Sequence, residues 1–420
     1  MLALAAMSPA TAGAARCAGT HWVGAWAGPP SDASRGTGVS AVLDASGIPK
    51  VPVSNSTVRA VLTPTFGGGR LRVRLSNRFG TAPVTFTHAT VGRATGTAAR
   101  DITGITFQGG RRSVTVAPGH DVLTDPAAFR IRAFRSLAVS VFVAGDARMP
   151  TEHYLGRQYS FLTPPGTGDH AADADGAAFT IATTTRPFVT GLDVRAPRTA
   201  GAVVALGDST TDGYQSSPSG TGPEDPRGLT RATRWPDVLA RRLRAAGREL
   251  SVLNAGISGN RILRDAVTSF DAFGPSALHR LAADVIGQAG VTTVVWYEGI
   301  NDVGQAPYDS ARAVTRGLAR GIRRLHGAGL TVVMATITPA GGHTSGQSPY
   351  DRVRRQVNRW IRTRSDADAV ADFDAATRDP ENPSTLIHRF DSGDHLHESD
   401  AGYRAVAKAV PLDALTDACP

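Results

Sequence analysis

The chain changes its periodicity near Pro197. Before that point, short apolar runs alternate with polar residues one by one. Leu71, Val73 and Leu75 are interleaved with Arg70, Arg72 and Arg74, and Val139, Val141 and Val143 repeat the pattern. A period of two sends one set of side chains to a buried face and the other to water, as in a half-buried strand. Val114 and Val116 form another short run, ended by Pro118-Gly119. Short strands punctuated by Gly and Pro predict a β-sandwich of jelly-roll-like form over residues 17–196.

After Pro197, aliphatic runs alternate with helical stretches. Strands are expected at 202–206, 250–254, 291–297, 331–336 and 369–373. Helices are expected at about 231–246, 275–288, 308–327 and 350–364, with a last one from about 399 to 412. Trp235-Pro236 opens the first of these, because Pro is pre-set for a first helical turn. A run such as Val291-Thr-Thr-Val-Val-Trp is apolar on both faces, which a parallel sheet between two helix layers requires. Residues 197–420 are therefore expected to form an α/β/α domain, reached through a linker around 186–199. A chain of 420 residues exceeds one ordinary core, so two domains fit its length.

Hydrophobic residues make up 41% and charged residues 19%, a globular balance that excludes wholesale disorder. No run of about 18 apolar residues offers a transmembrane helix. The net charge of +9 comes from arginines spread along the chain, with no aromatic-interleaved basic patch, so nucleic acid is not an expected partner. Residues 1–16, MLALAAMSPATAGAAR, end in small residues like a secretory signal but lack its positive start. They read as a signal-peptide remnant, and hence a secreted protein; a disordered N-terminus is the alternative. Cys17 and Cys419 are the two cysteines. In an exported chain they suggest a disulfide joining its two ends, with two free thiols as the alternative.

Ligands of open parallel sheets bind at the carboxyl ends of the strands. The first strand is followed there by Gly207-Asp208-Ser209, the second by Ile257-Ser258-Gly259-Asn260, and the third by Glu298-Gly299-Ile300-Asn301-Asp302. Near the C-terminus comes Asp394-His395-Leu396-His397-Glu398. Acyl transfer needs such a set. A serine hydroxyl requires a base, the base requires a carboxylate to fix its tautomer, and the oxyanion requires donors. A glycine lets a backbone N–H approach closely.

Together the four blocks resemble the SGNH hydrolases, also called GDSL esterases and lipases. The resemblance spans about residues 200–412 and continues through Ala401-Gly402-Tyr403. It implies a flavodoxin-like three-layer domain and a carboxylic ester hydrolase. Ser209 would be the nucleophile, His397 the base and Asp394 its partner. Ser209, Gly259 and Asn301 would form the oxyanion hole. No metal or organic cofactor is implied. The expected partner is an ester substrate: an acylated polysaccharide, a short-chain ester or a lipid.

Two positions depart from the family's Asp-Gly-x-His-Pro: His395 replaces the Gly and Glu398 the Pro. His395 is therefore a candidate pocket residue; Glu298, at a strand end near the site, is another, with a structural role as its alternative. Asp208 reads as structural and Trp296 as core. The glycine-rich 341–347 loop suits a wall of the pocket. The segment from His153 to Tyr159 faces either substrate or the catalytic half. Two other functions stay open: a glycan-binding protein with a silent α/β half, and a metal-dependent hydrolase using the His and Asp residues of 388–397.

Overall fold

The computed structural model describes residues 17–32, 52–147, 150–156, 158–216, 233–266, 272–344 and 349–419. The expected signal remnant, 1–16, lies outside them, as does part of the 341–347 loop.

The first half is built of antiparallel strands, and among the described residues it holds no helix. The strands are β1 (Thr20–Ala27), β2 (Val53–Leu62), β3 (Gly68–Ser76), β4 (Val84–Thr95) and β5 (Ala98–Ile105). Next come β6 (Val114–Val116), β7 (Asp121–Leu123), β8 (Ala127–Ile131), β9 (Leu137–Ala147) and β10 (Glu152–His153). The last four are β11 (Ser160–Leu162), β12 (Ile181–Thr183), β13 (Arg186–Pro187) and β14 (Val189–Pro197). One sheet runs β1-β14-β3-β7, with β8 also on β3; the other runs β12-β11-β2-β9-β4-β5, with β6 on β4. Their inner faces share one core. Leu71, Val73, Leu75 and Val194 from the first sheet meet Val58, Phe86, Val139, Val141 and Val143 from the second. The interleaved Arg72 turns outward and pairs with Asp193 at 2.8 Å.

The second half is a parallel sheet: β15 (Gly201–Gly207), β16 (Leu250–Gly256), β17 (Val291–Tyr297), β18 (Thr331–Ala335) and β19 (Ala369–Ala371). Its order is β16-β15-β17-β18-β19. The helices are α1 (Ser209–Asp212), α2 (Trp235–Ala245), α3 (Ala277–Leu281), α4 (Ile300–Gly304), α5 (Ala311–Gly327), α6 (Tyr350–Arg364), α7 (Phe373–Thr377) and α8 (Asp400–Ala409). Alternate strand residues feed two cores. Val204, Leu206, Val294 and Trp296 pack on α3, α5 and α6. Val203, Ala205, Val295 and Tyr297 pack on α2 and α8. This is the expected three-layer arrangement.

The expected linker is corrected. Residues 186–197 are mostly β13 and β14, and β14 is an interior strand paired with both β1 and β3. Its prolines looked like linker punctuation, but Pro187 and Pro197 sit at strand ends, where a missing N–H breaks no interior ladder. Only residues 198–200 separate β14 from β15.

The halves meet along β1 and β16. Ser251 Oγ donates to Gly24 O at 2.6 Å, and Thr65 Oγ1 to Val252 O at 3.0 Å. Arg78 reaches from the β half to Asp284 at 3.0 Å while holding Asp121 at 2.5 Å. Cys17 and Cys419 form a disulfide with Cα atoms 5.8 Å apart.

Candidate active site

Asp208 caps α1: its Oδ1 accepts from the Thr210 N–H at 3.0 Å and from Thr210 Oγ1 at 2.8 Å. That makes Ser209 the first helical residue, at the carboxyl edge of β15. Ser209 Oγ lies 2.8 Å from His397 Nε2, and His397 Nδ1 lies 2.6 Å from Asp394 Oδ2. The three-residue spacing lets Asp394 hold both ends of its partner. Its Oδ1 accepts the backbone N–H groups of Leu396 at 2.9 Å and His397 at 2.8 Å. Burial pushes the Asp394 carboxyl up, but the bonds from the His397 ring and these N–H groups outweigh it and hold the group well below the usual carboxylate range.

The two departures from the family pattern have physical reasons. His395 keeps the left-handed backbone a glycine would take, with φ +63. Its ring nitrogen bonds Asp391 Oδ2 at 2.6 Å, and the ring packs over Gly342. Its side chain is 58% exposed. Glu398 is buried, accepts from Tyr297 Oη at 2.8 Å, and is pushed up to about 7 by burial.

Gly259 has φ +78, and a Cβ there would lie 2.3 Å from the Phe273 ring, so only glycine fits. Asn301 is the second residue of α4. Its Nδ2 donates to Asn260 O at 3.0 Å, and its Oδ1 accepts from Gln305 Nε2 at 2.6 Å. One Asn301 amide hydrogen is left over. The backbone N–H groups of Ser209 and Gly259 have no acceptor among the described residues. Three donors thus stand unengaged in the neighbouring loops.

Several residues that sequence reasoning missed hold these loops. Asp302 accepts from the N–H groups of Ile262 at 2.9 Å and Leu263 at 3.1 Å, and burial pushes it up to about 7. Arg280 donates to Gly207 O at 2.9 Å, Ala255 O at 2.7 Å and Asn260 Oδ1 at 2.9 Å, pinning the ends of β15 and β16. Asp212 accepts from the Ser258 N–H at 3.1 Å and Oγ at 2.8 Å. Tyr214 packs on the His397 ring with centroids 4.6 Å apart and stays 37% exposed. Its only sequence signal is an aromatic just after the Ser209 motif.

Glu298 does not line the pocket. It is 1% exposed, its Oε2 accepts from Trp296 Nε1 at 2.8 Å, and burial pushes it up to about 8. A cavity of about 520 Å³ opens beside Gly259, lined by Arg261, Arg264, Phe273, Gln305 and Pro307 among others. In the 388–397 segment, Asp391 and Asp394 are each engaged by a histidine, His395 and His397. Among the described residues, no group of three or more His, Cys, Asp or Glu side chains is arranged to hold a metal ion.

Residues 205–405 match the GDSL-like Lipase/Acylhydrolase family. They are a GDSL-like lipase/acylhydrolase domain. The match places this domain among the carboxylic ester hydrolases. Solved structures similar to it include a lipase/acylhydrolase from Enterococcus faecalis, at 21% identity and TM-score 0.37, covering 50% of this chain and 93% of that one. An acetylxylan esterase from Geobacillus stearothermophilus matches at 20% identity and TM-score 0.36, covering 53% and 99%. A carbohydrate acetylesterase from Sinorhizobium meliloti matches at 15% identity and TM-score 0.37, covering 50% and 96%. The comparison with curated proteins finds no match.

Proposed function

We propose that this GDSL-like domain is a serine esterase working through an acyl-enzyme. The observation that carries the reading is the unbroken chain from Ser209 Oγ through His397 to Asp394, at 2.8 and 2.6 Å. His397 takes the Ser209 proton as the hydroxyl oxygen attacks the ester carbonyl. Asp394 keeps the other ring proton on Nδ1 and balances the imidazolium. The oxyanion is held by the Ser209 and Gly259 N–H groups and the Asn301 amide. His397 then protonates the leaving alcohol, and water repeats the cycle on the acyl-enzyme.

The exposed Tyr214 ring beside His397 favours an alcohol portion with a flat apolar face, such as an acylated sugar. Short-chain esters and lipids are the alternatives. We read the protein as secreted, since its disulfide suits an oxidising compartment. Residues 17–196 and 197–420 are read as its two domains.

Hydrolysis of p-nitrophenyl acetate tests the mechanism. Ser209→Ala and His397→Ala should each lower kcat by about a thousandfold or more while remaining folded. A Ser209→Ala variant with full turnover would remove Ser209 as nucleophile. EDTA should leave the rate unchanged. Release of acetate from acetylated xylan, and its weakening in Tyr214→Ala, tests the sugar ester.

A further inference from the structure

The β-rich half touches the catalytic loops through a buried histidine–carboxylate contact. His153, at the end of β10, is 4% exposed and lies beside Asp212 of α1, with Nε2 to Oδ1 at 3.1 Å. Its other ring nitrogen lies 2.7 Å from Pro29 O, and Nε2 also faces Leu155 O at 3.0 Å. The neighbours of the ring nitrogens are two carbonyl oxygens and the Asp212 carboxylate, so the bond to Asp212 is one that the Nε2–H tautomer makes. The β10–β13 pairing fixes His153 from below.

Asp212 sits one helical turn beyond Ser209. Its Oδ2 takes both the N–H and the hydroxyl of Ser258, the residue before Gly259. Gly256 presses so closely on α1 that a Cβ there would come within 2.2 Å of Asp212 N. One carboxylate therefore links three loops: the Ser209 helix, the Gly259 turn and the β half. Such a carboxylate needs all its donors, because a buried oxygen left without one draws its neighbours out of place.

We propose that His153 is a positioning residue for ester hydrolysis. It holds Asp212, and through it the Ser258–Gly259 peptide, where the developing oxyanion needs its donor. The proposal rests on the serine-esterase reading of the same site. It makes the β half part of the catalytic apparatus.

The test uses the full chain, p-nitrophenyl acetate and phenylboronic acid. The boronic acid takes up Ser209 Oγ as a tetrahedral anion and sets a boron oxygen where the oxyanion forms. His153→Ala should lower kcat by about ten- to a hundredfold, as a small misplacement of catalytic groups does, with KM within about twofold. Boronate affinity should fall by a similar factor. His153→Gln, which keeps an N–H for Asp212, should recover most of both. Val139→Ala, a cavity in the sandwich core far from this contact, should lower Tm and leave kcat alone.

A folded His153→Ala with wild-type kcat and boronate affinity overturns the proposal. So does a Val139→Ala that loses as much kcat as His153→Ala, since the effect is then one of stability. If His153→Ala does not fold, Asp212→Asn decides: kcat and boronate affinity must fall together, and unchanged values overturn it. A wild type as slow as Ser209→Ala overturns the esterase reading and this proposal with it. An active wild type matched by His153→Ala overturns the proposal alone.

Discussion

On the proposed mechanism, Asn301 divides its two amide hydrogens between structure and chemistry. One is committed to Asn260 O, and the other is unengaged. Asn301→Ala should lower kcat on p-nitrophenyl acetate by about a hundred- to a thousandfold, with a smaller change in KM. His395 is the contrasting case, an exposed residue engaged by Asp391 and not by Ser209. His395→Ala should raise KM and leave kcat nearly unchanged in the same assay, as loss of uniform binding does. The contacts among Ser209, His397 and Asp394 were legible in the sequence, and Gly259 and Asn301 were proposed beside them, because few residue types can do what each position asks. Asp212 and Asp302 were not. Their partners, Ser258 and Ile262, lie in other loops, and a carboxylate that bonds a distant backbone N–H leaves no pattern in its own neighbourhood.

At the scale of elements, what could be read was what burial writes. The five strands of the parallel sheet are apolar on both faces, and each was found to within a few residues. Helices α1, α4 and α7 were missed, because four or five residues are too few to show a period of 3.6. Two of those three carry Ser209 and Asn301, so the least legible elements present the proposed chemistry. The strand end of β17 also holds a buried acid. Burial pushes Glu298 up to about 8 in the folded chain, from about 4.5 for the ordinary carboxyl of the unfolded one. Because the folded value is raised, its contribution to stability is complete below about pH 4.5 and drains away as pH rises to about 8. Glu298→Gln keeps an acceptor for Trp296 and cannot ionise. Its Tm should match wild type near pH 4.5 and exceed it by several degrees at pH 8, as a pH series of thermal melts would show.

The whole molecule is joined across its two halves by covalent links and by side chains. Residues 198–200 and the disulfide provide the first; His153–Asp212 and Arg78–Asp284 provide the second. A bond spanning 402 residues removes much freedom from the unfolded chain. Its reduction, or Cys17→Ser, should cost about 2–5 kcal/mol in denaturant titrations while the folded enzyme keeps its kcat. The sequence suggested this pairing by the number and placement of its cysteines. It did not reveal how the halves face each other, since interface residues such as Thr65 and Ser251 are unremarkable in composition.

Both covalent links cross at the same place. The Arg198 N–H bonds Gly19 O, and Thr416, close to Cys419, bonds Thr292 and Thr331 at the starts of β17 and β18. That is the amino edge of the parallel sheet; Ser209 and Asp212 lie at the opposite edge, the length of β15 away. With both covalent links at one edge, a pivot placed there would have its longest arm at the edge that carries Ser209 and Asp212. Seven residues of strand span about 23 Å, so one degree of rocking about the pivot displaces the far edge by about 0.4 Å. A displacement of that size would stretch the 3.1 Å bond between His153 and Asp212 to the outer limit of a hydrogen bond.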